Sequence, residues 1–94
     1  MKTLVVNRHY EDFDIYIGRG TIYGNPFKIG PDGTRKQVIA KFKEYFNQRI
    51  LTDSKYRKAI EDLRGKRMGC SCKPKECHGD VYVEYLETLP LFQL

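Results

Sequence analysis

Between Gly18 and Gly33 the chain carries Gly18, Gly20, Gly24, Gly30 and Gly33 together with Pro26 and Pro31. No helix or strand interior accommodates that density of backbone breakers, so this segment is a long loop that divides the chain. Loops of such length in a small domain are either functional or disordered. Tyr23, Pro26, Phe27 and Ile29 supply apolar anchors, which predicts an ordered loop.

Regular elements must therefore lie on either side. Ahead of the loop, Thr3–Asn7 is apolar and β-branched, and Asp14–Gly18 alternates with Ile15 and Ile17 on one face and Tyr16 on the other. Both read as strands, joined by the polar stretch 8–13. Behind the loop, Thr34 is placed to cap a helix whose apolar residues Val38, Ile39, Phe42, Tyr45, Phe46 and Ile50 recur at three- and four-residue steps. Asp53 or Ser54 then caps a second helix with Tyr56, Ala59, Ile60 and Leu63 inward, ending at Gly65. Residues 66–72 read as a third strand, 73–76 as a turn, and Cys77–Leu89 as a third helix stopped by Pro90. The expected fold is α/β: a small three-stranded, mixed sheet covered by about three helices, in one domain spanning 1–94.

The 94 residues suffice for one domain. Met1-Lys2 leads into only a short apolar stretch, and no segment approaches the roughly 20 apolar residues of a membrane span. Cys70, Cys72 and Cys77 are an odd number crowded into one region. That is a poor disulfide framework and points to a reducing, cytoplasmic setting. The net charge of +5 favours anionic partners. No dense Lys/Arg run marks a nucleic-acid arm, so a small anion is the preferred partner over nucleic acid. The apolar ending Leu91–Leu94 is expected to pack on the body or on a second subunit.

The run Gly69-Cys70-Ser71-Cys72-Lys73-Pro74-Lys75-Glu76-Cys77-His78-Gly79-Asp80 holds most of the chemistry. Cys70 and Cys72, if both are in the strand, share a face. A helix beginning at Cys77-His78-Gly79 presents unpaired N–H groups and the positive dipole end, an anion site that Lys73 and Lys75 would reinforce. Alternatively Cys77 is a nucleophile with a lowered pKa and His78 its base. Adjacent residues at a helix start diverge by about 100°, which weighs against that pair. Zinc bound by Cys70, Cys72, Cys77 and His78 is a third reading. The residue types fit, but structural sites usually use two well-separated ligand pairs. Against all three stands the plain alternative that the cysteines are small buried residues at a strand end.

In the loop, Arg19 between Gly18 and Gly20 can clamp a phosphate, Tyr23 or Phe27 can stack on a base, and Asn25 adds a polar contact. The plain alternative reads Arg19 as a solvated charge, and the aromatics as pins holding the loop to the core. Gly-x-Gly alone is weak, and the third glycine and prompt helix of a dinucleotide fingerprint are missing. Asp32 suits a turn or cap. Arg35 falls in the first helical turn, where a cation opposes the dipole, so it calls for a carboxylate or phosphate partner.

Three blocks taken together, Tyr16–Gly20 through Gly24-Asn25-Pro26-Phe27, Ile29-Gly30 with Asp32-Gly33-Thr34-Arg35, and Gly69–Pro74 with Cys77-His78-Gly79-Asp80, resemble a family of small domains of phages and cellular organisms known as domain of unknown function 4326. The resemblance runs from about Asn7 to Leu89. It departs at Ser71, where an aromatic is expected, and at Tyr23, where tryptophan is expected; both change what can stack in a pocket. The resemblance implies no established activity. It implies that the glycine loop, the Asp32–Arg35 cluster and the Cys-His turn form one site, and it is in keeping with a phage protein that sequesters a signalling nucleotide.

The expected function is therefore binding of a nucleotide-derived anionic small molecule, without an obligatory cofactor. Arg19, Gly20, Tyr23, Asn25, Asp32, Arg35, Cys72, Lys73, Cys77, His78, Gly79 and Asp80 are the candidate contacts. The alternatives are a cysteine-dependent enzyme acting on a glycosidic or phosphoester bond through Cys77 and His78, and a zinc-stabilised interaction or nucleic-acid-binding module.

Overall fold

A computed structural model describes residues 2–88 of the chain. Strand β1 (Leu4–Asn7) and strand β2 (Ile15–Tyr16) precede the glycine loop. Helix α1 (Arg35–Thr52), helix α2 (Ser54–Glu61), strand β3 (Arg67–Cys70) and helix α3 (Gly79–Thr88) follow it. The expectation for 91–94 lies outside the described residues.

The sheet order is β1-β3-β2, and both pairings are parallel. The expected mixed sheet is thus corrected to an all-parallel one. A hairpin would have made β1 and β2 antiparallel neighbours, but β3 lies between them. The polar stretch after Asn7 therefore acts as a crossover, not a turn. Parallel crossovers ordinarily take about a dozen residues or more. Here residues 8–14 suffice because the strands are short and the chain passes close over β3. A Cβ on Gly69 would sit 2.7 Å from Cγ of Phe13, so the missing side chain makes room for the crossover ring. The Arg8 N–H donates to the Cys70 carbonyl at one end, and the Asp14 N–H to the Arg67 carbonyl at the other.

Register and alternation assign the faces. Val5, Met68 and Ile15 lie side by side, and Met68, Ile17 and Cys70 are buried in the core beneath the helices. The apolar stripe read for α1 is the buried one: Val38, Phe42, Phe46 and Ile50. It meets Tyr56 and Ile60 of α2 and Val81, Tyr82 and Leu86 of α3. Much of this core is aromatic edge packing. Phe42 meets Tyr82 at 5.6 Å between ring centroids, and Phe46 meets Tyr85 at 5.3 Å.

The caps follow the sequence closely. Thr34 and Gln37 form a reciprocal capping box at α1. Asp53 ends α1 and caps α2 by accepting from the Tyr56 N–H at 3.0 Å. Several boundaries differ from expectation: β2 is confined to Ile15–Tyr16 within the expected Asp14–Gly18, and α2 ends at Glu61, ahead of Gly65. Strand β3 stops at Cys70, so Cys72 is outside it. Helix α3 starts at Gly79, so Cys77 and His78 belong to its approach. Among the described residues no helix is long and apolar enough to cross a membrane.

Candidate functional site

The carboxyl ends of β2 and β3 open onto a cavity of about 260 Å³. Ligands of parallel α/β sheets characteristically bind beyond the carboxyl ends of the strands. Three segments that are distant in sequence make its wall. The start of the glycine loop brings Gly18, Arg19, Asn25 and Phe27; α1 brings Arg35, Val38 and Ile39; the segment after β3 brings Ser71, Cys72 and Glu76. Tyr16, Ile29, Cys70 and His78 complete it.

The loop is held as a preformed wall. Asn25 accepts from the Phe27 N–H at 2.9 Å and donates through Nδ2 to the Val38 carbonyl at 3.3 Å, tying the loop to α1. The Thr21 hydroxyl donates to the Gly18 carbonyl at 2.7 Å. Gly30 and Gly33 bond each other's backbone across a tight turn, with φ of 102° and 130° that favour glycine. Asp32 caps this turn by accepting from the Lys28 N–H at 2.7 Å. Its role is structural, and it does not line the cavity. Tyr23 also stands outside the cavity; its carbonyl accepts from the Tyr82 hydroxyl at 2.5 Å. Among the loop aromatics, the one in the wall is Phe27, braced edge-on by Tyr45. Ser71 sits in the wall where an aromatic was expected, leaving a small hydroxyl there.

Two arginines, Arg19 and Arg35, line this space. Arg35 has no carboxylate partner among the described residues. It donates to the Glu76 carbonyl oxygen at 3.2 Å, bridging α1 to the Cys-His segment. Arg19 is exposed and makes no ion pair or side-chain hydrogen bond among the described residues.

The start of α3 is built differently from the expected anion site. The Cys77 N–H donates to Oδ2 of Asp80 at 3.1 Å, and the Gly79 N–H to Sγ of Cys77 at 3.4 Å. The N–H groups of Asp80 and Val81 donate to the Cys77 and His78 carbonyls. The helix-start donors are therefore already used, which removes the basis for binding an anion there. Lys73 is held in a 2.6 Å ion pair with Asp80. Lys73, Cys77, Gly79 and Asp80 consequently act on the shape of the segment and do not line the cavity. Gly79 is there for packing: a Cβ would lie 2.7 Å from Cδ1 of Ile17 and 3.0 Å from Cγ2 of Val5.

His78 is buried, with its ring edge-on to Phe42 and Tyr82. Its Nε2 lies 2.8 Å from the Ile17 carbonyl oxygen. A carbonyl only accepts, so Nε2 carries the proton, and the Nδ1 lone pair faces the Cys77 thiol at 3.6 Å. Burial holds the His78 pKa below the ordinary imidazole value. The Cys77 thiol is pushed up, by its hydrogen bond to Cys70 and by burial. The lowered Cys77 pKa expected of a nucleophile is thus reversed. Cys70 shifts the other way, drawn down by Cys77 and by the backbone N–H groups of Lys73 and Cys72. It is Cys70 and Cys72, not Cys77, that border the cavity. Although Cys70, Cys77 and His78 are neighbours, among the described residues no group of three or more His, Cys, Asp or Glu could hold a metal ion.

Of the expected contacts, the structure brings Arg19, Asn25, Arg35, Cys72 and His78 around one cavity, and leaves Gly20, Tyr23, Asp32, Lys73, Cys77, Gly79 and Asp80 off it. Sequence reasoning missed Tyr16, Ile29, Val38, Ile39 and Glu76. Tyr16 carried the only signal: it points opposite to the core-facing Ile15 and Ile17.

Comparison with known proteins agrees with the resemblance drawn from the three blocks. A family model described as "Domain of unknown function (DUF4326)" matches residues 5–88. An uncharacterised 12.4 kDa protein of the nrdA-td intergenic region of Enterobacteria phage T4 is 44% identical over 86 residues, covering 90% of this chain and 78% of that protein. No solved structure matches.

Proposed function

The chain belongs to the DUF4326 family, and on that premise, with the chemistry of its cavity, we propose that it binds a nucleotide-derived, anionic small molecule at the carboxyl end of its parallel sheet. The observation that carries this reading is the pair Arg19 and Arg35. Both line one cavity, and neither is neutralised by a carboxylate among the described residues. Guanidinium groups hold phosphate oxygens in a two-pronged geometry that a point charge cannot match. Phe27 and Tyr16 supply aromatic surface against which a base can rest. The net charge of +5 draws anions toward the protein. A volume of about 260 Å³ lies just below the roughly 300–1,000 Å³ range of small-molecule pockets, in keeping with a ligand no larger than one base-sugar-phosphate unit.

Titration calorimetry against nucleoside monophosphates, cyclic nucleotides and ADP-ribose tests the reading. Binding should weaken about tenfold or more in Arg19→Ala and in Arg35→Ala, since a charged hydrogen bond contributes roughly 1.5–3 kcal/mol. Absence of binding across the panel, or binding indifferent to both substitutions, would refute it.

A further inference from the structure

A second, shallower hollow of about 330 Å³ adjoins the cavity, and Arg19 and Asn25 line both. The glycine loop forms one side of it through Gly20, Thr21 and Ile22, and Tyr45 and Arg49 of α1 the other. Asn25 is fixed by its bonds to Phe27 and Val38. The Arg19 side chain, exposed and without an ion pair among the described residues, is thus the adjustable part of the divide.

Building on the nucleotide reading, we propose that the ligand is a two-part molecule: a nucleoside 5′-diphosphate carrying a second group on its outer phosphate. The nucleoside occupies the deep cavity, the diphosphate lies against Arg19, and the second group rests in the hollow. Arg49 cannot take Arg19's place against the diphosphate. Its guanidinium donates to Asp53 and to the Tyr45 hydroxyl and lies 4.0 Å over the Tyr56 ring. It is a fixed wall whose charge is already met. Arg19 is the cation without such a partner, and it stands where the two spaces meet. The hollow's near side is backbone at Gly20 and Gly24, which allows close approach by a polar group such as a second sugar.

Calorimetry with AMP, ADP and ADP-ribose, and in parallel GMP, GDP and GDP-mannose, tests the proposal on the full chain. The two-part ligand of one series should bind at least tenfold tighter than its monophosphate and its diphosphate. Ile22→Glu, a change at a half-exposed side chain of the hollow, should reduce that ratio to within about twofold. Equal affinity for all three members overturns the proposal while leaving the nucleotide reading standing. So does an Ile22→Glu variant that weakens all three alike. Absence of binding in both series overturns the two readings together.

Discussion

His78 and Ile17 are joined by a 2.8 Å hydrogen bond from the imidazole Nε2 to a backbone carbonyl. It ties the approach to α3 to the residue at which β2 becomes the glycine loop. The two halves of the cavity wall are thereby fixed to one another through a buried, neutral ring.

That neutrality makes stability depend on pH. The unfolded chain takes up a proton on His78 as the pH falls through about 6.5. The folded chain, where burial lowers the pKa, takes it up only at lower pH. The contribution is complete above pH 6.5 and declines as the pH falls toward the folded value, at no more than about 1.4 kcal/mol per pH unit. Urea unfolding between pH 8 and pH 5 should show wild-type stability decreasing across this window. His78→Gln should be less stable at pH 8 and show a shallower decrease. A wild-type curve that is flat or rises toward pH 5 would contradict the burial of a neutral imidazole.

Gly79 owes its place to packing. A Cβ there runs into Ile17, which is fully buried, and into both methyl groups of Val5. Ile17 has no solvent to move into, so Gly79→Ala should cost about 1–3 kcal/mol despite the better helix propensity of alanine. Urea denaturation reads the loss. Because Gly79 does not border the cavity, nucleotide affinity below the unfolding transition should stay within about twofold of wild type. A variant as stable as wild type would show that α3 does not approach the sheet this closely.

The regular elements were legible because their signals are local. The capping box of Thr34 and Gln37, the α1 stripe and the alternation of Ile15 with Ile17 each lie within a few residues. Sheet direction was not legible, because it depends on Phe13 passing over Gly69, a contact between residues far apart in the chain. The site was half legible for the same reason. Arg19 and Arg35 announced themselves, one between glycines and the other against a helix dipole. The helix start looked like an anion site because a sequence displays its unpaired donors but not the Asp80 carboxylate and Cys77 sulfur that satisfy them. Apolar wall residues such as Val38 and Ile39 read as core because they continue the same helical stripe.

The three cysteines should separate by position when challenged with iodoacetamide. Reaction requires a thiolate and a path to it. Cys77 lacks both: its side chain is 1% exposed, and its thiol is pushed up by the bond to Cys70 and by burial. Cys70 is favoured toward the thiolate by Cys77 and by nearby backbone N–H groups, but it is only 2% exposed. Cys72 is half-buried and borders the cavity mouth segment with Ser71. Native protein at pH 7.5 should therefore be modified first at Cys72, then at Cys70, and at Cys77 only on a timescale set by unfolding. Mass spectrometry of peptides taken over a time course resolves the order. In urea above the unfolding midpoint the three rates should converge. Early labelling of Cys77 in the folded protein would mean that the approach to α3 opens, and would restore Cys77 and His78 as a candidate catalytic pair.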